Sequence, residues 1–151
     1  MTRSNAHPSP RGSTGSLTIK SRTEKLALVR EFVSDFARRF GFDDESVNKI
    51  ALAVDEACTN IIKHSYKFAS DKDITINIVT GEKAFEVMIS DQGISFDPDA
   101  VKLPNMKEYL TEYRRGGLGM YLMRSLMDRV EYTAYPGPRN EVRLIKYLPA
   151  K

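Results

Sequence analysis

The stretch DEACTNIIKHSY, Asp55–Tyr66, places acidic, amide and basic side chains inside a segment whose remaining residues predict a buried helix. Apolar residues from Val47 to Ile61 recur at three- and four-residue spacing, which is typical of one packed helix face. Asp43 and Asp44 precede this pattern, and either can cap the helix N-terminus. The polar side chains therefore either lie on the solvated side of this helix or bind a ligand.

Glu56 and Asn60 are four residues apart, so both side chains project from the same side of the predicted helix. A carboxylate can accept a proton, and a neutral amide oxygen is a ligand that Mg²⁺ accepts. The spacing alone also fits a solvated face, because two lysines share that side. Cys58 is expected to be a small core residue and His64 a surface or capping residue, so neither receives a catalytic role.

The composition predicts a single globular domain. The chain has 151 residues, of which 41% are hydrophobic, which is enough to enclose a core and a pocket. Its 23 basic and 20 acidic residues are interspersed and leave a net charge of +3. Because a nucleic-acid binder concentrates its basic residues on one face, we expect no direct nucleic-acid partner, despite a pI near 9.0.

Cysteine content and hydropathy indicate a cytoplasmic protein. The single cysteine excludes an internal disulfide and fits a reducing compartment. No apolar run approaches the ~20 residues that span a bilayer, and the N-terminus lacks the apolar region of a signal peptide. We therefore expect neither a membrane partner nor export.

The order of patterns along the chain predicts the architecture. Residues 1–16 contain almost nothing apolar and are predicted to be a flexible tail, which leaves residues 17–151 as the domain. The domain is predicted to contain a strand, two helices, a hairpin, a long irregular segment, a helix and a closing hairpin. The predicted strands are 17–21, 74–79, 84–90, 130–135 and 141–148. Short turns between neighbouring strands predict an α/β two-layer sandwich, with a mixed, mostly antiparallel sheet and helices on one face.

A second group of polar residues, Asp91-Gln92-Gly93, lies where a predicted buried strand meets the long loop. Glycine at this point permits a close approach of the backbone to a ligand. A simple turn uses the same residues, so the pattern alone leaves both interpretations open.

The third group, RRGGLGMYLM, introduces the last predicted helix. Glycines at a helix entrance allow backbone N–H groups to point at an anion, and the helix dipole favours phosphate there. Arg114 and Arg115 add positive charge beside Gly116, Gly117 and Gly119. The segment is not a Walker A loop, because it lacks GK[ST]. A flexible entrance to a packed helix would have the same composition.

Taken in order, EACTN, DQGISFDP and RRGGLGMYLMRSLMDRV resemble the N, G1 and G2 boxes of the GHKL ATP-binding superfamily. More closely, they resemble the small anti-sigma-factor serine/threonine kinases of bacteria. The resemblance covers about residues 17–148 and implies the Bergerat fold, with ATP and Mg²⁺ as cofactors. Three motifs in order are far more specific than any one of them.

The resemblance implies a role for each matching residue. Glu56 would be the general base and Asn60 the Mg²⁺ ligand. Asp91 would accept a hydrogen bond from the adenine amino group, and Gly93 would let the base approach. The loop from residue 94 to residue 115 would be the ATP lid. The remaining nucleotide-binding residues would lie at the entrance of the last helix: Arg114, Arg115, Gly116, Gly117, Leu118 and Gly119.

Two departures from the family pattern affect the adenine site. Ser95 stands in place of the second glycine of DxGxG, although DxGxSFDP is familiar in the anti-sigma kinase branch. The closing hairpin reads PGPRNEVRL where many relatives have a Gly-Thr step whose threonine helps to hold adenine. The resemblance therefore does not extend to that threonine contact.

The resemblance implies a kinase that phosphorylates a Ser or Thr of an anti-anti-sigma (STAS-type) protein, with a sigma factor as a competing ligand and a homodimer as the assembly. A non-catalytic module, which would use nucleotide to choose between partners, is the alternative. A sensor histidine kinase is disfavoured, because the chain lacks room for a long helical hairpin that carries a phosphoacceptor histidine.

Overall fold

The structure is a computed structural model and describes residues 14–93, 118–135 and 139–149. Within these ranges the α-helices and strands are, in order, β1 (Thr14–Lys20), α1 (Leu26–Phe40), α2 (Asp44–Asn60), β2 (Asp73–Thr80), β3 (Ala84–Asp91), α3 (Leu118–Leu126), β4 (Arg129–Tyr135) and β5 (Arg139–Tyr147). A 3-10 helix, Thr23–Lys25, precedes α1, and a π-helix, Ile61–Ser65, continues α2.

The five described strands form one sheet in the order β1-β2-β3-β5-β4, and every neighbouring pair in it is antiparallel. Alternate residues of β2 and β3 are fully buried, while the residues between them are partly exposed. The buried side chains pack with those of the helices in one core, so the helices cover one face of the sheet. The predicted two-layer α/β fold is confirmed, with a sheet that is antiparallel throughout its described strands.

Helix α2 lies between α1 and α3, and it also contacts β3 and β5. Its apolar side contributes Val47, Ile50, Val54 and Cys58 to the core. Burial raises the pKa of the Cys58 thiol to about 12, so this side chain is an unreactive core residue, as predicted. The central position of α2 brings its last turn close to the ends of β3 and β5.

The predicted cap at the start of α2 is confirmed, and α1 ends at a glycine. Gly41 ends α1 with φ +117°, and its N–H bonds the carbonyls of Ala37 and Arg38 at 3.2 and 3.1 Å. Asp43 caps α2, because its carboxylate accepts the Ser46 N–H at 2.8 Å. That hydrogen bond also lowers the pKa of Asp43.

Strand β1 begins three residues earlier than predicted, at Thr14, which pairs with Val79 of β2. The predicted boundary after residue 16 therefore needs correction, since residues 14–16 belong to the sheet. Their small polar side chains did not predict a strand. Backbone pairing and the close approach of Gly15 to the Phe36 ring order these residues instead. Residues 1–13 lie outside the described ranges. No helix in the described ranges is long and apolar enough to cross a membrane.

Replacing Gly41 by Ala should destabilise the domain by about 1–2 kcal/mol, because an L-residue is strained at positive φ. Urea unfolding measures the change. Gly81→Ala is the matched control, since a Cβ there would meet only the Ala84 carbonyl oxygen at 3.9 Å. Equal stability losses in the two variants would contradict the strain at Gly41.

Candidate functional site

The site begins where α2 changes its helical geometry. After Asn60 the backbone continues as a π-helix through Ser65, and such π-turns are frequent at functional sites. Lys67 and Phe68 follow with φ +50° and +67°, which is uncommon for residues other than glycine. Local backbone strain of this kind also clusters at functional sites.

Asn60 is the last residue of α2 and is only 6% exposed. Its Nδ2 atom is buried and has no hydrogen-bond partner among the described residues. The solvated-face interpretation is therefore wrong for this residue. Because an unpaired buried N–H donor costs free energy, a ligand atom that accepts a hydrogen bond from Nδ2 would remove that cost.

Glu56 lies one helical turn before Asn60 and is partly buried. Its pKa is raised, first by burial and then by the negative charge of Asp55, while Lys63 lowers it. Asp55 is in turn held by an ion pair with Arg30 of α1 at 2.5 Å. A carboxylate with a raised pKa is a better proton acceptor than an ordinary surface glutamate.

Asp91 ends β3 and is only 4% exposed. Its Oδ1 accepts the Gly93 N–H at 2.8 Å and the Nδ2 of Asn140 at 3.0 Å. Burial raises the pKa of Asp91, and these two hydrogen bonds offset part of that rise. The nearby Ser65 hydroxyl also lowers the pKa of Asp91, although Oγ makes no hydrogen bond of normal geometry to the described residues. Both hydrogen bonds go to Oδ1, which leaves Oδ2 as the acceptor for a ligand.

Asn140 is the site residue that the sequence interpretation missed. It lies on β5 directly opposite Asp91, is fully buried, and donates a second hydrogen bond to the Gly93 carbonyl at 3.1 Å. The only available signal was its alternation with Val142 and Leu144, which places an amide on the buried side of the strand. The missing Gly-Thr step therefore does not leave Asp91 without a partner on the closing hairpin.

Gly93 packs closely against the protein backbone in this structure, whereas its predicted close approach to the adenine base stays a prediction. A Cβ at this position would lie 2.6 Å from the carbonyl carbon of Ser65. Tyr66 joins the same two segments, because its hydroxyl accepts the Gln92 N–H at 2.8 Å and donates to the Asp73 carbonyl at 2.5 Å. These contacts fix the end of β3 against the end of the π-helix.

A small pocket, open to solvent, lies between these elements. Its walls come from both layers and are mostly apolar, with the Asn60 amide and the Asp91 carboxylate among them. The lining residues are Ala57, Asn60, Ile61, Asp91, Met123, Tyr132 and Val142. A buried carboxylate within apolar walls suits a flat apolar ring that carries a hydrogen-bond donor.

The described residues contain no cluster of three His, Cys, Asp or Glu side chains that could hold a metal. A divalent ion in this pocket would therefore depend on the Asn60 amide oxygen together with oxygens of a ligand and water. This donor set fits Mg²⁺, which commonly takes one or two protein ligands beside substrate phosphates.

The predicted anion site is described only in part. Leu118 and Gly119 are the first two residues of α3. The other predicted residues of this group, Arg114, Arg115, Gly116 and Gly117, and the predicted lid from 94 to 115 lie outside the described ranges. Their roles stay predictions.

Comparison with known families identifies the class to which this fold and pocket belong. The model of the histidine kinase-like ATPase domain matches residues 19–146. The chain belongs to the histidine kinase-like ATPase family.

Within that family the chain is similar to bacterial serine-protein kinases named RsbW. It is 32% identical to the Bacillus subtilis protein over 137 residues, which cover 87% of this chain and 84% of the relative. It is 34% identical to the Listeria monocytogenes protein over 139 residues, which cover 89% and 87%. A crystal structure of the RsbU and RsbW domains of a Mycobacterium tuberculosis protein shares the fold, with a TM-score of 0.61 at 13% identity. That match covers 89% of this chain and 32% of the solved one.

The raised pKa of Asp91 makes a prediction about stability. Because the pKa of Asp91 is raised in the folded state, protonated Asp91 contributes stability below its unfolded pKa of about 3.9. This contribution is lost as pH rises through the folded pKa. Asp91→Asn keeps an acceptor for Gly93 and Asn140 but cannot ionise. Its stability relative to the unaltered protein should therefore increase from pH 4 to pH 7, as measured by urea unfolding.

Asp43→Asn is the matched control, because the pKa of Asp43 is lowered and the sign is opposite. Asp43 contributes stability above its unfolded pKa, and this is lost as pH falls. The stability of Asp43→Asn relative to the unaltered protein should therefore decrease from pH 4 to pH 7. A pH-independent difference between Asp91→Asn and the unaltered protein would contradict a raised pKa at Asp91.

Proposed function

We propose that this chain is a Mg²⁺- and ATP-dependent protein kinase that transfers the γ-phosphoryl group to a Ser or Thr hydroxyl of a partner protein. The observation that carries the proposal is that the buried Asp91 carboxylate lines an apolar pocket. Asn60 forms part of the wall of the same pocket. Membership of the histidine kinase-like ATPase family and similarity to proteins named serine-protein kinase support it.

Asp91 would read adenine through its Oδ2 atom. The adenine amino group is a hydrogen-bond donor and complements a carboxylate oxygen, whereas guanine presents a carbonyl oxygen at the same position, which a carboxylate repels. Ala57, Ile61 and Met123 supply the apolar walls that a purine ring needs. The pocket would therefore favour ATP over GTP.

Asn60 would hold Mg²⁺ through its side-chain oxygen. Mg²⁺, when bound, neutralises phosphate charge and bridges the protein to the triphosphate. The burial of Asn60 in the wall of the pocket supports this role. Its unpaired Nδ2 atom would donate a hydrogen bond to an oxygen of the same nucleotide. The N-terminus of α3, with Leu118 and Gly119, would bind phosphate with the N–H groups of its first turn. Arg114, Arg115, Gly116 and Gly117 would add charge and further N–H groups.

Glu56 would act as the general base. The hydroxyl oxygen of the substrate Ser or Thr forms a bond to the γ-phosphorus, the bond from that phosphorus to the β,γ-bridging oxygen breaks, and ADP leaves. Glu56 accepts the hydroxyl proton. Its partial burial and raised pKa support this role. Most of the rate enhancement would still come from positioning and charge neutralisation.

The partner would be a STAS-type anti-anti-sigma protein, with a sigma factor as the competing ligand and a homodimer as the assembly. The resemblance to anti-sigma kinases and the similarity to RsbW proteins support these assignments. The protein would act in the cytoplasm, where sigma factors work. A pull-down from the native cell, with and without ATP, identifies the partner, and sedimentation equilibrium measures the assembly.

Asn60→Ala should abolish the metal dependence of ATP binding. Calorimetry should show that the unaltered protein binds ATP far more tightly with Mg²⁺ than with EDTA, while the variant binds weakly in both. Asn48→Ala is the matched control, because Asn48 is an exposed asparagine of the same helix. Equal ATP affinity with Mg²⁺ and EDTA in the unaltered protein would reject the metal site.

Glu56→Gln should separate ATP binding from phosphoryl transfer. The amide is nearly isosteric but cannot accept the proton, so transfer to the partner should fall by about 10² to 10⁴ while ATP and partner binding persist. Transfer of radiolabel from ATP to the partner measures the rate.

Glu45→Gln is the control for this experiment, since Glu45 is an exposed acid in the same helix that pairs with Lys49. It should leave transfer unchanged. An unaltered protein that binds ATP and partner but never labels the partner would instead indicate the nucleotide-gated binding module. A fully active Glu56→Gln would remove Glu56 as the base.

A further inference from the structure

We propose that Asn140 is a positioning residue that determines base specificity, because its amide holds the Asp91 carboxylate in the orientation that reads adenine. The inference rests on the proposed ATP site. It assigns to β5 a role that none of the three sequence motifs carries, and it concerns an asparagine where many relatives have the Gly-Thr step.

The hydrogen bonds of the Asn140 amide fix the geometry of the Asp91 side chain. Its Nδ2 atom bonds Asp91 Oδ1 at 3.0 Å and the Gly93 carbonyl at 3.1 Å. An amide nitrogen has two hydrogens and can serve both acceptors at once, whereas a hydroxyl has one. The Gly93 N–H bonds the same Oδ1 at 2.8 Å. With Oδ1 held by two donors, rotation of the carboxylate is blocked and Oδ2 stays directed to the ligand.

Burial prevents water from replacing the Asn140 hydrogen bond. Asn140 is 0% exposed and Asp91 is nearly buried, so water has little access to replace a lost donor. Without the Asn140 donor, the carboxylate could rotate and could also take up a proton more readily. A protonated carboxyl donates a hydrogen bond, so it would bind the ring carbonyl of hypoxanthine or guanine as well as the adenine amino group.

The groups that lower the pKa of Asp91 within the described ranges are neutral hydrogen-bond donors. Burial is the largest influence on the Asp91 pKa and raises it, and the hydrogen bond from Asn140 is the largest influence that lowers it. Gly93 and Ser65 contribute neutral donors. Tyr66 is the titratable neighbour within the described ranges, and its own pKa is raised chiefly by burial. Among these donors, Asn140 contributes most to keeping Asp91 ionised.

The test compares ATP with inosine triphosphate, which differs at the base by a carbonyl in place of the amino group. Calorimetry with Mg²⁺ measures both affinities for the unaltered protein, Asn140→Leu and Asn140→Thr. Asn140→Leu has no donor, so the ratio of ATP to inosine triphosphate affinity should fall at least tenfold. Asn140→Thr supplies one hydroxyl donor and should recover part of the ratio.

Asn77→Leu is the matched control. Asn77 is a partly exposed asparagine of β2 that pairs with Met88 across the sheet, on the face away from the helices. This variant should keep the ratio of the unaltered protein. If Asn140 has only a structural role, its loss should weaken the binding of both nucleotides equally and leave the ratio of ATP to inosine triphosphate affinity unchanged. A folded Asn140→Leu protein with an unaltered affinity ratio would therefore overturn the inference.

A measurement on the unaltered protein guards against variants that fail to fold. The side-chain amide hydrogens of Asn140 should exchange slowly with water in NMR spectra, and their resonances should shift more with ATP than with inosine triphosphate. Rapid exchange would overturn the inference. Failure of the unaltered protein to bind ATP would overturn the proposed function itself, whereas ATP binding with a ratio insensitive to Asn140 overturns the role of Asn140 alone.

Discussion

The burial of the Asp91 carboxylate is the constraint around which this end of the molecule is organised. A carboxylate removed from water is costly unless donors replace its hydration. Two donors, the Gly93 N–H and the Asn140 amide, serve one oxygen, and the other oxygen is left for a ligand. Desolvation still dominates and keeps the pKa of Asp91 raised. The buried Asp91 carboxylate thus lowers the stability of the domain at neutral pH, and it places an oriented acceptor within an apolar pocket.

Helix α2 places the groups that would bind the phosphates and the metal close to this acceptor. Because α2 lies between α1 and α3, the side of its last turn that carries Asn60 faces the pocket. The π-helix that follows brings the Ser65 backbone against Gly93, so the end of β3 that carries Asp91 and the end of α2 that carries Asn60 are held together by direct packing. A nucleotide could then contact Asp91 with its base and Asn60 and Glu56 with its phosphates and metal.

Much of this could be predicted from sequence, because periodicity and end signals are local properties. The strands, the helices, the Gly41 stop and the Asp43 cap follow from spacing and residue type. Glu56, Asn60 and Asp91 were found as members of ordered motifs. Periodicity could not show that Asn60 is buried, since the helix that covers its side, α3, lies about 60 residues further along the chain.

The residues that sequence could not assign depend on contacts between distant segments. Asn140 is 49 residues from Asp91, and its role exists only in the register of β3 against β5. Similarly, Thr14–Ser16 look like part of a flexible tail, and their pairing with β2 and the contact of Gly15 with Phe36 order them. The sequence predicts a close approach at Gly93, but the π-helix geometry is needed to show that the Ser65 backbone lies there.

The central claim is that the Asp91 pocket binds adenine while Asn60 holds the metal of the triphosphate. A crystal structure with Mg²⁺ and a non-hydrolysable ATP analogue tests it most directly. The expected result is an adenine amino nitrogen about 3 Å from Asp91 Oδ2 and a metal ion about 2.1 Å from the Asn60 side-chain oxygen. An adenine outside this pocket, or an amino group directed away from Asp91, would contradict the claim.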